Sequence, residues 1–221
     1  MKHTTPPTNT LVAFAIGCAL TLITATGCKT AHVHAAPAVE PAPRPTVHVL
    51  IDRSHSTDAA RNSQLAAAKK IHLTMASTAD IHFWAYDSTA VEVIAAGSAL
   101  TSKQLVIALG GEISPKSAAV RTITRPGAAI KAVADKASSG APLSVIVITD
   151  GDIDDAADRP VLKAAAENLI GKTPGSKLTV IGIDPNNRKV WEDILTPAAA
   201  QATTLATWAE ASSALKVATK S

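Results

Sequence analysis

The chain has 221 residues, with 21 lysines and arginines against 18 aspartates and glutamates, and a formal net charge of +3. This near balance argues against a nucleic-acid-binding protein, which would carry a strong basic excess or a basic stripe. Hydrophobic residues make up 47% of the chain and aromatic residues only 3%, so a core can form but must be built from Ala, Val, Ile and Leu.

The amino-terminal segment has the features of a secretory signal. Lys2 lies in a polar start, and an uncharged, mostly apolar run follows from Leu11 to Thr26. The run is shorter than the about 20 residues that a helix needs to cross a bilayer. It leads into ATGC at 25–28, small residues followed by a cysteine, which resembles the lipobox of bacterial lipoproteins.

This resemblance implies that residues 1–27 are a signal peptide and that Cys28 is the lipidated first residue of the mature chain. An uncleaved anchor helix and cleavage further along the chain are the alternatives. Cys18 would leave with the signal, so the mature domain would have neither a free thiol nor a disulfide. Lys29 rather than an aspartate follows the cysteine, which by the same resemblance favours the outer membrane if the host is Gram-negative.

Residues 28–45 are rich in proline and alanine and show no periodic apolar face. Such a composition predicts an extended tether that holds a folded domain away from the membrane. His32 and His34 form an HxH pair, but nothing nearby supplies further metal ligands at a fixed geometry. We therefore interpret the two histidines as solvated linker residues.

Residues 46–221 alternate between strand and helix patterns. This alternation predicts a doubly wound, Rossmann-like α/β domain, with a mostly parallel sheet of about six strands and helices on both faces. The predicted strands are 47–52, 80–86, 90–94, 144–150, 178–184 and 202–206. The short link 87–89 allows only an antiparallel pair, so one edge strand should run against the others. We expect Gly110 and Gly111 to end the helix that begins near Thr101, and a long loop to continue to Arg125.

Side chains that could bind a metal ion stand where predicted strands end. Asp52, Ser54 and Ser56 follow the first strand at i, i+2, i+4 spacing, Asp150 follows the fourth strand, and Thr124 precedes a helix start. Sites in open α/β sheets form outside the carboxyl ends of the strands. Two carboxylates and three hydroxyls are all oxygen ligands, which suit Mg²⁺ or Mn²⁺ rather than Zn²⁺. The alternative interpretation is that the two serines only cap the following helix.

This ordered set resembles the von Willebrand factor type A domain with its metal-ion-dependent adhesion site. That family carries DxSxS after its first strand, a threonine in a later loop, and an aspartate after its fourth strand, often in TDG. The matching residues are DRSHS at 52–56, TRPGAAI at 124–130 and TDG at 149–151, within a resemblance over about residues 46–219. Thr122 lies in the same loop and is the alternative threonine.

The resemblance also implies how each residue would act. Ser54, Ser56 and Thr124 would ligate Mg²⁺ or Mn²⁺ directly, whereas Asp52 and Asp150 would act largely through water. A carboxylate from an Asp or Glu of a protein partner would complete the shell of the ion. The predicted function is a non-enzymatic adhesion or scaffold module, lipid-anchored in the bacterial cell envelope.

A haloacid-dehalogenase-like, magnesium-dependent phosphatase is the alternative function, because such enzymes also place an aspartate after a hydrophobic strand. Asp52 would then be the nucleophile. However, Ser54 stands where the second aspartate of that motif should be, so the general acid is missing.

Three further acids follow Asp150 in the run DGDIDD at 150–155. We expect Asp152, Asp154 and Asp155 to be solvated loop acids near a helix start, with a second bound ion as the alternative. Asp158 is expected to have little influence on the site.

Overall fold

The computed structural model describes residues 44–95, 97–113, 123–136, 142–172 and 174–218. The predicted signal peptide, the lipidated Cys28, nearly all of the predicted tether and Thr122 lie outside the described residues.

The described strands form one six-stranded sheet in the order β3-β2-β1-β4-β5-β6. The strands are β1 (Thr46–Asp52), β2 (Asp80–Tyr86), β3 (Ala90–Ile94), β4 (Leu143–Ile148), β5 (Lys177–Ile181) and β6 (Thr203–Ala206). Strand β3 runs antiparallel to β2 at one edge, and the other described pairs are parallel. The predicted α/β fold, with one antiparallel edge strand, is confirmed.

Helices cover both faces of the sheet. They are α1 (Arg61–Met75), α2 (Ser102–Ile113), α3 (Pro126–Lys136), α4 (Asp158–Lys172), α5 (Pro185–Ile194), α6 (Pro197–Gln201) and α7 (Ala211–Ala218). One apolar core packs α1, α2 and α7 against the sheet, and a second packs α3, α4, α5 and α6 against the opposite face. This two-sided cover explains why the central strands read as continuous apolar runs. Within the described ranges, no helix is both long and apolar enough to cross a membrane.

Strands β4 and β5 end earlier than the apolar runs that predicted them. Glycines with positive φ turn the chain shortly after each strand, at Gly151 (φ 85°) and Gly182 (φ 92°). A Cβ at Gly151 would lie 2.4 Å from Cγ1 of Ile183, so a larger residue would not fit there. The early end of β4 places Asp150 in a loop at the carboxyl edge of the sheet.

The prediction that Gly110 and Gly111 end α2 is wrong, because the helix continues to Ile113. Leu105, Leu109 and Ile113 share one face at four-residue spacing, and all three are buried. Burial of each side chain stabilises the helix by about 2 kcal/mol. That gain outweighs the cost of about 1 kcal/mol for each glycine in a helix.

A group of polar side chains, which we call the histidine cluster, lies between the sheet and the end of α3. It consists of His48, His82, Trp84, Glu92 and Lys136. His48 is 3% exposed and accepts the Trp84 Nε1–H at 3.1 Å, so it is a hydrogen-bonded core residue. The rings of His48 and His82 stack with centroids 4.7 Å apart. Glu92 binds Nδ1 of His82 at 2.7 Å and also binds Nζ of Lys136.

Arg44 fixes the chain to the opposite, amino edge of the sheet just before β1. Its guanidinium donates to the carbonyl oxygens of Ala76 at 2.7 Å and Ala79 at 3.0 Å, after the end of α1. It also forms an ion pair with Asp80, the first residue of β2, at 3.5 Å. Arg44 and the start of β1 therefore lie at the edge of the sheet opposite to the predicted metal ligands.

Candidate metal site

Asp52 is the last residue of β1, and its carboxylate is fully buried. Oδ1 accepts the Ser54 N–H at 2.8 Å, and Oδ2 accepts the Thr149 hydroxyl at 2.7 Å. No cation of the described residues pairs with this carboxylate. Burial raises the pKa of Asp52 to about 7, and the hydrogen bonds from Ser54 and Thr149 offset only part of that rise.

The backbone after Asp52 is held by side chains that sequence reasoning did not identify. Nη1 of Arg61 and Nε2 of Gln64 donate to the carbonyl oxygen of Asp52 at 2.7 and 2.8 Å. Gln64 is fully buried on α1. A polar residue on the buried face of a helix was the available signal, because a buried amide requires hydrogen-bond partners.

Ser54 and Ser56 do not cap the helix that follows. Their Oγ atoms lie 3.1 Å apart and hydrogen-bond each other, and Ser54 makes no side-chain capping bond. The hydroxyl of Thr57 instead donates to the carbonyl oxygen of Ser54 at 2.9 Å. The two serine hydroxyls therefore keep lone pairs that could bind an ion.

Thr149 connects the two strand ends. Its hydroxyl binds Asp52 and also lies 3.5 Å from Oδ1 of Asp150. The same carboxylate oxygen of Asp150 accepts the Asp152 N–H at 3.1 Å. Asp52, Ser54, Ser56 and Asp150 thus belong to one chain of contacts, joined by Thr149, which was not among the predicted ligands.

Thr124 lies in the segment just before α3. Its side chain is fully buried, and its Oγ1 has no hydrogen-bond partner in the described structure. Its N–H donates to Oδ2 of Asp154 at 2.9 Å, and the next residue, Arg125, donates its N–H to the carbonyl oxygen of Asp87 at 3.0 Å. These two contacts place Thr124 at the carboxyl edge, although no described hydrogen bond joins it directly to Asp52 or Asp150.

The five side chains fit a divalent cation of the hard, oxygen-binding class. Asp52 is a buried carboxylate without a counter-charge, and Thr124 has a buried hydroxyl without a partner, and each is costly unless something binds it. Tyr86 pairs in register with Asp52 across β1 and β2, and its hydroxyl is also buried at this edge. No group of three or more His, Cys, Asp or Glu in the described ranges could hold a metal ion, so any site here depends on hydroxyl ligands.

Asp154 is exposed, as expected of a solvated loop acid, but Asp154 and Asp155 also make contacts that the sequence did not predict. Asp154 accepts the Thr124 N–H, and Oδ2 of Asp155 accepts Nε–H of Arg125 at 2.9 Å. Asp158 is also not a bystander, because it is 3% exposed. Its carboxylate accepts the N–H groups of Gly127 at 2.6 Å and Ala128 at 3.0 Å, at the start of α3.

Comparison with known proteins supports the fold. No protein-family model and no curated protein matches the sequence. Among solved structures, an aerotolerance-related membrane protein from Bacteroides fragilis is 17% identical, with 78% of this chain and 96% of that chain covered and a TM-score of 0.54. Manganese-loaded TRAP protein from Plasmodium vivax is 17% identical, with coverages of 79% and 73% and a TM-score of 0.57.

A von Willebrand factor type A protein from Catenulispora acidiphila is 22% identical over 80% of this chain and 42% of that chain, with a TM-score of 0.50. At these identities the similarity establishes the architecture alone. The chain therefore has the fold of von Willebrand factor type A domains, as its motifs predicted.

Proposed function

We propose that this chain is a divalent-metal-dependent protein-binding module, with an adhesion or scaffold role, held in a bacterial cell envelope by lipid on Cys28. The observation that carries the proposal is the Thr124 hydroxyl, which is buried without a partner at the edge of the sheet where Asp52 and Asp150 lie. A bound cation would satisfy that hydroxyl and neutralise the buried carboxylate. The manganese-loaded structure of a protein with the same fold is consistent with such an ion.

In this proposal Ser54, Ser56 and Thr124 hold Mg²⁺ or Mn²⁺ directly, and Asp52 and Asp150 act largely through water. Hydroxyl ligands donate no formal charge, so the bound ion supplies a positive centre that attracts an external oxygen. The carboxylate of an Asp or Glu from a protein partner suits that position. The interaction should therefore require the metal.

Metal binding can be tested by thermal unfolding of the purified protein. Millimolar Mg²⁺ should raise the melting temperature, because a ligand that binds only the native state stabilises it. Asp150→Ala should abolish the rise. Asp135→Ala, which removes an exposed aspartate of α3 that pairs with Lys131, is the matched control and should preserve it. An equal rise in Asp150→Ala would place the ion elsewhere.

Partner binding can be tested by affinity capture from an envelope extract in Mg²⁺, followed by release with chelator. Ser54→Ala and Thr124→Ala should each weaken capture while the domain remains folded by circular dichroism. A partner that stays bound both in chelator and to Ser54→Ala would show that recognition lies on another face.

Membrane attachment can be tested by detergent partitioning. The wild-type protein should enter the detergent phase, and Cys28→Ala should move to the aqueous phase because it lacks the lipid. Unchanged partitioning of the variant would indicate an uncleaved anchor helix. In a Gram-negative host, recovery mainly with the inner membrane would contradict the localisation expected from Lys29.

The geometry of Asp52 argues against the phosphatase alternative. Each of its oxygens accepts a hydrogen bond and the side chain is fully buried, so the carboxylate is not presented for nucleophilic attack on a phosphoester, whereas contact with an ion through water needs only a remaining lone pair. Ser54 also cannot supply the proton that a leaving group needs as efficiently as a carboxylic acid would. Metal-dependent phosphoester turnover that is lost in Asp52→Asn would overturn the binding-module proposal.

A further inference from the structure

The loop between β4 and α4 reaches across to the segment that carries Thr124. Asp154 accepts the Thr124 N–H at 2.9 Å, and Asp155 accepts from both Nε and Nη2 of Arg125 at 2.9 Å. These contacts join residues that are about thirty positions apart in the chain. The same loop begins with Asp150, one of the proposed metal ligands.

The start of α3 is held against the start of α4 by backbone packing as well. A Cβ at Gly127 would lie 2.4 Å from the nitrogen of Leu162, so the two helices approach more closely than any side chain would allow. Asp158, the first residue of α4, accepts the N–H groups of Gly127 and Ala128. The first turn of α3 is therefore fixed relative to α4, and the segment just before it is fixed by Asp154 and Asp155.

We propose that Asp154, supported by Asp155, is a positioning residue of the metal site that aligns Thr124 with Asp150. This inference rests on the proposed function, because it assigns Thr124 a ligand role. One loop then supplies a ligand at its first position and orients a second ligand through its acids. The two carboxylates act on backbone and side-chain donors and do not need to touch the ion.

The chain offers a control that separates positioning from simple attraction of a cation by negative charge. Asp152 stands in the same loop, and its carboxylate accepts the N–H of Ile153 at 2.9 Å. No described hydrogen bond joins the Asp152 side chain to the 123–128 segment. Burial and the neighbouring Asp154 side chain raise the pKa of Asp152. Asp152 is therefore a nearby acid that contacts Asp154 but does not itself bind the Thr124 segment.

The experiment compares Asp154→Ala, Asp154→Asn and Asp152→Ala with wild type in the full-length purified protein. Mg²⁺ affinity is measured by titration calorimetry, and exchange of the Thr124 amide hydrogen is measured in metal-free protein. Asp154→Ala should weaken Mg²⁺ binding about tenfold, the effect of one lost charge-assisted hydrogen bond. It should also accelerate exchange of the Thr124 amide.

Asp154→Asn keeps an acceptor oxygen for the Thr124 N–H and should restore both properties to within about twofold of wild type. Asp152→Ala should change exchange of the Thr124 amide by no more than about twofold, because the Asp152 side chain makes no described hydrogen bond to the Thr124 segment, and it should weaken Mg²⁺ binding less than Asp154→Ala does. Equal loss of Mg²⁺ affinity in all three variants would show that charge alone matters and would overturn the inference. Unchanged exchange of the Thr124 amide in Asp154→Ala would overturn it as well.

The two proposals fail in distinguishable ways. If wild-type protein binds no Mg²⁺, the proposed metal-dependent function fails. The amide measurement in metal-free protein still decides whether Asp154 orients Thr124, because it does not depend on a bound ion.

Discussion

The carboxyl edge of the sheet and the histidine cluster treat buried polar groups in opposite ways. In the cluster, Glu92 contacts both His82 and Lys136, and the Trp84 N–H has an acceptor in His48. At the carboxyl edge, by contrast, the described residues supply no cation for the buried Asp52 carboxylate, although it accepts two hydrogen bonds, and no hydrogen-bond partner for the buried Thr124 hydroxyl. A satisfied network stabilises the fold, whereas an unsatisfied one is a place where something else can bind.

Helix α3 connects these two regions. It begins directly after the Thr124 segment and ends at Lys136, which pairs with Glu92 and lies 5.3 Å from the Trp84 ring centroid. The satisfied end of the helix therefore helps to hold the end that bears the proposed ligand. Perturbing each region in turn should reveal the difference between them.

Lowering the pH should disrupt the histidine cluster, and of the predicted changes it should reduce the free energy of unfolding the most. Burial, the stacked His82 and nearby Lys136 lower the pKa of His48 to about 4, although Glu92 partly opposes them. Protonation on Nδ1 would also remove the acceptor for the Trp84 N–H. The unfolded chain takes up this proton below its ordinary pKa of 6.5, so stability is complete above that pH and is lost towards pH 4, by about 3 kcal/mol.

Urea unfolding across this pH range measures the loss. His48→Asn keeps an acceptor for Trp84 but does not titrate, so its stability should depend less on pH than that of wild type. An identical pH slope in the variant would show that other groups cause the acid sensitivity.

Asp158→Ala should destabilise the metal-free protein by about 2 kcal/mol. The variant leaves the N–H groups of Gly127 and Ala128 without their acceptor at the start of α3. Burial raises the pKa of Asp158, and the hydrogen bonds from these two N–H groups offset only part of that rise. The ionised carboxylate therefore stabilises the fold less than it would at an exposed helix start. Chemical denaturation measures the change, with exposed Asp135→Ala as control. A difference below about 0.5 kcal/mol would mean that α3 does not need this cap.

Above pH 7, where the Asp52 carboxyl is ionised despite its raised pKa of about 7, Asp52→Asn should stabilise the metal-free protein by about 1 kcal/mol, because it removes a buried charge that has no cation beside it in the described structure. The same variant should lose the Mg²⁺-dependent rise in melting temperature. Destabilisation in the absence of metal would mean that Asp52 is part of a satisfied network and that the contrast with the histidine cluster is false.

Glu92→Gln should destabilise the protein, in contrast to Asp52→Asn, and its effect should be the smallest, a loss of about 0.5 kcal/mol in the free energy of unfolding. Burial acts to raise the pKa of Glu92, but the hydrogen bonds from Lys136 and His82 outweigh it and lower that pKa. The loss is small because the Lys136 side chain is half exposed and its pairing is screened by solvent. Double-variant analysis with Lys136→Met would show whether the two residues are coupled.

The sequence predicted the architecture because the signal for it is local. Apolar runs such as 144–148 identify buried parallel strands, and an acid after such a run must lie at the carboxyl edge. These two rules were sufficient to place Asp52 and Asp150 there. The extension of α2 through Gly110 and Gly111 was not predicted, because it depends on burial of Ile113 in the apolar core between the helices and the sheet.

The contacts that organise Thr124 could not be read from the sequence. Asp154 meets the N–H of Thr124, and Asp158 meets that of Gly127, only because α3 and α4 pack side by side. The sequence alone does not distinguish an acid that contacts only solvent from an acid that binds the backbone of a distant segment. The charged run at 150–155 therefore predicted a polar loop, but it did not predict which backbone groups its acids would bind.

If the chain is the anchored module proposed above, the position of Arg44 has a mechanical consequence. Tension entering at Arg44, beside the start of β1, and tension from a partner at the proposed metal site would act on opposite ends of the same strand. Strand β1 pairs in parallel with β2 on one side and β4 on the other. The pull would run along the strand, so both ladders would be loaded in shear and their hydrogen bonds would have to break together rather than one at a time.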